Sequence, residues 1–382
     1  MGRRWGTQPR GDDGGSVTTG FDRRSFLRRG AGMAAGAAAL GIGGSEFLAA
    51  CGSSGSGGSS AATGGATSFG ALTYRLSWIK NVEFAGAYIA DQKGYYKAAG
   101  FTSVNLISGG PSATPQDADV ATGKAFIGIS APDITGAAIL QGAPIKIIGA
   151  QYQKNPFAIM SLASKPIKTP EDMIGKKIGV QATNESVWSA FLAANNIDPS
   201  KIDKVPVQFD PTPLTTGQVD GWFSFITNEP NLLKVKGIDT VTFLLADFKY
   251  PLVSETYMVT TDTLAKDKAK IKAFLSAEIK AWHDQIASPG TGASLAATVY
   301  GKDQGLDTAE QTLEAKAQNE LLVTADTKAN GLFTITPALI EENIATLKLA
   351  KVDISADQLF DTSIIDELYK EQPDLKTIPA LG

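Results

Sequence analysis

The sequence predicts an α/β protein built as two lobes, and three observations lead there. The chain has 382 residues, too long for one compact core and suited to two units of roughly 100–200 residues each. Beyond residue 70, short β-rich runs alternate with helical patterns, which is the mark of βαβ units around a largely parallel sheet. Hydrophobic residues make up 43% of the chain against 19% charged, enough apolar material for a folded core.

The first unit offers strands at Leu72–Trp78, Val104–Ile107, Ala125–Ile129, Ile145–Ala150 and Phe157–Leu162. Helical patterns lie between them at Phe84–Gln92 and Thr114–Thr122, and Gly94 and Gly100 punctuate the first crossover as helix stops. A second unit starts near Ile167. Thr169-Pro170-Glu171-Asp172 combines a capping residue, a proline at the first helical position and two acids, so a helix start is expected there. Lys177–Val180 reads as a strand, and Glu185–Asn195 as a helix with Val187, Trp188, Phe191 and Leu192 on one side. Val205–Phe209 and Val219–Phe225 read as further strands. After a strand at Thr256–Thr260, the residues Ile271, Leu275, Ile279, Trp282 and Ile286 step by four, four, three and four, which is one buried helical face. His283 falls beside that face and reads as a surface helix histidine. The tail to Gly382 reads as mostly helical, and no tandem repeat is visible.

Composition narrows the function. With the first 50 residues set aside, 28 basic face 35 acidic residues. An acidic body without a basic block argues against a nucleic-acid partner, which needs a positive footprint. One Cys and one His cannot furnish an internal disulfide or a zinc cluster, and leave little material for thiol or histidine-triad catalysis. A binder is expected over an enzyme, with no metal and no cofactor.

The N-terminal segment reads as an address followed by an anchor. Arg23-Arg24 with the Phe26-Leu27 step looks like a twin-arginine export signal. Ala31–Ile42 is uncharged and apolar, too short for a bilayer span of ~20 residues but suited to a signal-peptide core. Leu48-Ala49-Ala50-Cys51 resembles the bacterial lipoprotein cleavage box, which would make Cys51 the lipidated first residue of the mature protein. Residues 52–68 are Gly, Ser, Ala and Thr, a flexible tether. The expected location is extracytoplasmic and lipid-anchored to the cell membrane.

Several segments resemble the SsuA/THI5-like (NMT1/THI5) family of binding proteins. They are Trp78-Ile79-Lys80-Asn81-Val82-Glu83-Phe84-Ala85-Gly86-Ala87-Tyr88-Ile89-Ala90, the following Asp91 to Gly100, Gln141-Gly142-Ala143-Pro144-Ile145, Lys168 to Val180, and Gly217-Gln218-Val219-Asp220-Gly221. They occur in order and at family spacing over most of residues 71–260. The resemblance implies a periplasmic-binding-protein fold of type II: two α/β lobes, a two-strand hinge and a ligand cleft between the lobes. The N-terminal motifs give residues 1–50 as signal peptide and 51–70 as lipidated Cys and linker. One lobe would comprise 71–163 plus 256–382, the other 164–255. It further implies a monomeric solute-binding component of an ABC importer that closes on its ligand by hinge motion and meets permease subunits.

Ligands of open α/β sheets sit beyond the carboxyl ends of the strands. Trp78, Asn81 and Phe84 follow the first strand, with Trp78 open either to ligand or to interlobe packing. Ser130 and Asp133 follow the third, with Asp133 alternatively a helix cap, and Tyr152 follows the fourth. Gly109-Gly110-Pro111 reads as a plain turn in preference to a ligand contact. In the second unit Asn184 lies in a turn that often presents N–H groups to an anion, but Glu185 in the same turn would oppose a sulfonate or phosphate. Trp188 suits ring stacking or the core. The run Gly221 to Pro230 ends a strand in Thr227-Asn228-Glu229, either a helix cap or donors and acceptors for an aminopyrimidine or flavin edge. Aromatic walls with a few placed polar groups suit a heterocycle, and the resemblance is nearest the thiamine-pyrimidine and riboflavin members. The alternatives are a sulfonate- or nitrate-type anion binder, a pyrimidine-synthesising enzyme, and a lipoprotein that feeds a sensor instead of a permease.

Overall fold

A computed structural model describes residues 68–382. Arg23, Arg24, the apolar run, Cys51 and the tether up to residue 67 lie outside the described residues.

Ten strands form two five-stranded sheets. They are β1 (Gly70–Arg75), β2 (Phe101–Ile107), β3 (Ile127–Ser130), β4 (Ile145–Tyr152), β5 (Phe157–Leu162), β6 (Lys177–Gln181), β7 (Asp203–Val207), β8 (Gly221–Phe225), β9 (Thr240–Leu244) and β10 (Ser254–Thr260). The first sheet has the order β2-β1-β3-β10-β4, the second β7-β6-β8-β5-β9. The two orders are the same pattern: three parallel strands, then one strand inserted from the other sheet's side of the chain, then an edge strand.

That insertion corrects the expectation of largely parallel sheets. β10 runs antiparallel to β3 and β4, and β5 runs antiparallel to β8 and β9. The reason is the route of the chain. It leaves the end of β4 through residues 153–156 and starts β5 beside the end of β8, with Phe157 opposite Phe225. It returns through 245–253 and starts β10 beside the end of β4, with Ser254 opposite Tyr152. A strand that enters where its neighbours finish must run against them. The two crossings form the hinge and are tied to each other. Asn155 donates from its backbone to Leu252 O at 2.8 Å and from Nδ2 to Tyr250 O at 2.7 Å.

Local chemistry accounts for the remaining differences. Thr169 to Asp172 yields one 3₁₀ turn, Glu171–Met173, instead of a helix. The Asp172 carboxylate accepts from the Lys168 and Thr169 N–H groups, and Gly175 at φ +76° redirects the chain into β6. β9 was not expected; Thr240-Val-Thr-Phe-Leu carries a weak apolar signal that pairing with β5 completes.

The long helix Lys268–Ala287 buries the expected Ile271, Leu275, Ile279, Trp282 and Ile286 against helix Ala85–Gln92. The approach is close enough that a Cβ on Gly86 would collide with the Trp282 indole. His283 is half-buried there, with Nε2 lacking a partner and burial lowering its pKa, so it is not the surface histidine its position suggested. The tail is helical, as the sequence indicates. Its stretch Ile335–Phe360 shares a hydrophobic core with Ile178, Trp188, Phe191 and Phe223 around the second sheet, as well as with Ile147 and Ala150 of β4.

Candidate functional site

The ends of β1, β3, β4, β6 and β8 and the beginnings of β5 and β10 define one edge of each sheet, and the expected site residues distribute around these edges. Trp78 is half-buried, and its ring lies 5.1 Å from Phe209 at 63°. Phe209 follows β7, so this edge-to-face pair joins the two sheets' loops. Behind it, Gly109 donates to Trp78 O at 2.7 Å, and a Cβ on Gly109 would strike the Ser77 carbonyl. This turn needs glycine because it packs on the β1 terminus. Asn81 is buried and accepts from Glu83 N at 3.2 Å, capping the turn Val82–Phe84.

Four expected contacts are turned into packing. Phe84 lies in the first core. Ser130 donates to Asp117 at 2.7 Å, and Thr135 donates to the other Asp117 oxygen. Tyr152 is fully buried, with its hydroxyl on Gln318 Oε1 at 2.8 Å. Trp188 packs in the second core beside Phe223. Asp133 sits in the first turn of helix Pro132–Leu140 without forming a side-chain cap, and burial raises its pKa. Position after a strand end marks Phe84, Ser130, Asp133 and Tyr152, and it does not distinguish inward from cleft-facing side chains; for Trp188 the core alternative holds.

Across the cleft, Asn184 donates to Gln181 Oε1 at 2.9 Å. Glu185 is exposed and pairs with Lys204 at 2.6 Å, so its charge does not bear on the cleft as the sequence suggested. Thr227 donates to Asn228 Oδ1 at 2.7 Å. Asn228 precedes helix Glu229–Val235 without capping it through its side chain. The Glu229 carboxylate turns back to accept from Phe225 N at 3.0 Å, and its burial pushes the pKa up to about 7.

Sequence reasoning missed the dominant feature, a set of buried glutamates from distant segments. Glu83 follows Asn81; Glu255 opens β10; Glu314 lies on helix Thr308–Leu322. All three are at most 6% exposed. Burial pushes the Glu83 pKa up to about 7 and that of Glu255 well above the usual carboxylate range, and the Glu83 charge raises Glu255 further. Ser77 Oγ donates to Glu255 Oε2 at 2.7 Å. Glu83 is fixed from its backbone: its N–H donates to Asn81 and its carbonyl accepts from Gln151 Nε2 at 3.0 Å. Glu255 adopts φ +48° beside a register shift in β10, an unusual backbone for a residue with a side chain. The charge of Glu314 is felt by neighbours on both sides, since Glu83 and Glu229 each raise its pKa, after burial and Glu310.

No counter-charge answers this set. Among the described residues, none of the ion pairs involves Glu83, Glu229, Glu255 or Glu314. Arg75 is the only arginine after residue 29, and it is buried on Asp119 at 2.9 Å while also donating to the carbonyls of Ser108 and Thr114. Among the described residues there is also no His, Cys, Asp and Glu grouping arranged to hold a metal ion, and no helix long and apolar enough to cross a membrane.

Comparison with known proteins places this architecture. The riboflavin-binding protein RibY of Chloroflexus aurantiacus is 25% identical over 226 residues, 57% of this chain and 63% of RibY. A 4-amino-5-hydroxymethyl-2-methylpyrimidine phosphate synthase of Legionella pneumophila is 25% identical over 142 residues, 37% of this chain and 44% of the enzyme. The chain thus matches less than two thirds of the length of either relative. Among solved structures, the periplasmic nitrate-binding protein NrtA of Synechocystis superposes with a TM-score of 0.59 at 12% identity, covering 81% of this chain and 92% of NrtA. That likeness shows the fold: two α/β lobes of the periplasmic-binding-protein type. The NMT1/THI5-like family profile matches residues 81–291, which include Glu83, Asn228, Glu229 and Glu255, and the chain belongs to that family.

Proposed function

We propose that this chain is the extracytoplasmic solute-binding component of an ABC importer and that it holds a small nitrogen heterocycle, a thiamine-precursor pyrimidine or riboflavin, between its two lobes. The lobes are divided as 71–163 plus 256–382 and 164–255, with Ile335–Phe360 packed on both. Cys51 anchors it by lipid, and Arg23-Arg24 direct its export. The protein acts as a monomer that hands its ligand to permease subunits.

The observation that carries the choice of ligand is the charge around the cleft. Glu83, Glu255 and Glu314 are buried and Glu229 is half-buried, and the single arginine of the body is engaged by Asp119. A sulfonate or nitrate brought there would meet carboxyls that its charge holds protonated and no free arginine to answer it. A heterocycle brings N–H donors that carboxyl oxygens accept, and Trp78 and Phe209 offer it aromatic faces. RibY supports a ring ligand, and the Legionella relative supports pyrimidine chemistry in the family. Binding is favoured over catalysis because the body beyond Cys51 contains no cysteine and only His283, which sits in the long helix of the first core.

Isothermal titration with riboflavin, 4-amino-5-hydroxymethyl-2-methylpyrimidine, an alkanesulfonate and nitrate tests the reading. Saturable binding of a heterocycle with no heat from either anion is expected. Binding of an anion alone overturns it.

A further inference from the structure

The return crossing between the sheets is gripped at residues 250–253 by two asparagine side chains. Asn155, on the outgoing crossing, takes the carbonyls of Tyr250 and Leu252. The intervening groups go to Asn343, a fully buried residue of helix Pro337–Leu349. Its Oδ1 accepts from Val253 N at 3.0 Å, and its Nδ2 donates to Pro251 O at 3.3 Å and to Leu339 O at 2.7 Å. A flipped amide would set its oxygen against two carbonyls, so one orientation fits. Tyr250, Leu252 and Val253 lie in the second hydrophobic core, where an unpaired backbone N–H or C=O is costly. The helix that carries Asn343 reaches both sheets. Just before it, Phe333 O accepts from Ala150 N of β4 at 3.0 Å, and beyond it Asp361 N donates to Ile147 O of β4 at 2.8 Å. Leu347 of the helix shares a core with Phe191 and Phe223 on the second sheet's side, and the helix lies against both Glu185–Ala194 and Pro132–Leu140. The two sides also meet across the cleft, where Trp78 lies on Phe209 and helix Glu229–Val235 packs on helix Thr308–Leu322. Asn343 therefore holds the crossing in the arrangement in which the sides touch.

Resting on the reading that a solute is held between the two lobes, we infer that helix Pro337–Leu349 is a third member of the hinge and that Asn343 is a positioning residue for binding. Hinges move through φ/ψ changes in a few residues at the crossing. Rotation at Pro251 or Val253 turns their C=O and N–H away from an amide that its own helix fixes through Leu339 O. The two bonds from the crossing to Asn343 thus belong to the arrangement in which Trp78 meets Phe209, and opening the cleft breaks them. Asn343 biases the ligand-free protein toward the closed arrangement, so that less of the ligand's interaction energy goes into closing it.

The test is small-angle X-ray scattering of the ligand-free protein, with the parent compared to Asn343→Leu, which keeps the bulk of the side chain and removes its hydrogen bonds. Asn343→Leu is expected to have the larger radius of gyration. It should also bind about tenfold more weakly whichever of riboflavin, 4-amino-5-hydroxymethyl-2-methylpyrimidine, an alkanesulfonate or nitrate the parent binds, the factor that follows when the closed state falls to roughly one molecule in ten. At saturation the two proteins should scatter alike. Leu347→Ala loosens the same helix without touching the crossing and separates positioning from stability: its melting temperature should fall comparably, with radius of gyration and affinity at the parent's values. An unchanged radius of gyration in ligand-free Asn343→Leu overturns the inference, as does an equal expansion in Leu347→Ala. Binding to parent and variant without contraction of either overturns the reading of a solute enclosed between the lobes, while the ligand-free comparison decides the role of Asn343 on its own.

Discussion

Two buried carboxyl sites on the first sheet's side of the molecule are answered in opposite ways. Glu278, on the long helix, is 1% exposed and accepts from the hydroxyls of Tyr96 and of Tyr257, the latter at 3.1 Å. Glu83 and Glu255 are comparably buried, and among the described hydrogen bonds their carboxyls receive only Ser77 Oγ, on Glu255 at 2.7 Å. A carboxyl whose oxygens meet fixed donors belongs to the fold, since its hydrogen bonds are complete without anything else. Buried carboxyls with so few donors are unfavourable for the fold and are suited to a partner that brings donors. The contrast separates structural acidity from binding acidity within one hydrophobic surrounding.

The largest expected effect lies on the structural side. Burial pushes the Glu278 pKa from 4.5 to about 7. The folded value exceeds the unfolded one, so the stability is full below about 4.5 and is lost as pH rises to about 7, by an amount on the order of 3 kcal/mol. Denaturant unfolding from pH 4 to 8 should show that decline, and Glu278→Gln should flatten it while leaving ligand affinity within about threefold. A variant whose pH profile matches the parent's would remove Glu278 from the account.

On the binding side, the double variant Glu83→Gln/Glu255→Gln should weaken aminopyrimidine binding by about 100-fold, the scale of a lost buried charged hydrogen bond. Its melting temperature at pH 8 should equal or exceed the parent's, because a repelling buried pair is gone. Lost affinity accompanied by a large fall in melting temperature would erase the distinction between the two sites.

Trp78→Ala comes next. The indole meets Phe209 across the sheets, and its removal should weaken heterocycle binding about tenfold, by the energy of an aromatic contact, as read by intrinsic fluorescence titration. Lys154→Ala should do least. Its ion pair with Asp247 at 3.2 Å joins the two hinge crossings but is half-exposed on both partners. Such pairs contribute under about 1 kcal/mol, and equilibrium unfolding should barely register the change.

Local patterns made most elements legible. Phe157–Leu162 is a strand over the residues its composition indicated, and the four-four-three-four spacing marked the buried face of the long helix. The sheets' mixed direction was not legible, because strand polarity depends on where the chain crosses between sheets and not on side chains. Thr227, Asn228 and Glu229 were visible as a polar step at a strand end. The Glu83–Glu255 pair was not: Ser77 and Glu255, which meet at this site, are 178 residues apart in sequence. Glu83 appeared only as one letter of a family-like segment. A buried carboxyl acquires its meaning from its surroundings, and those come from the segment after β1, from β10 and from the helix Thr308–Leu322 at once.

On the proposed function, the cleft carboxyls await a nitrogen heterocycle. Native mass spectrometry of the protein purified without added ligand, followed by release and identification of whatever it retains, tests this most directly. A ring compound bearing N–H donors, with an aromatic absorbance band, is expected. Retention of a sulfonate, nitrate or other small anion, released stoichiometrically from the folded protein, would contradict it.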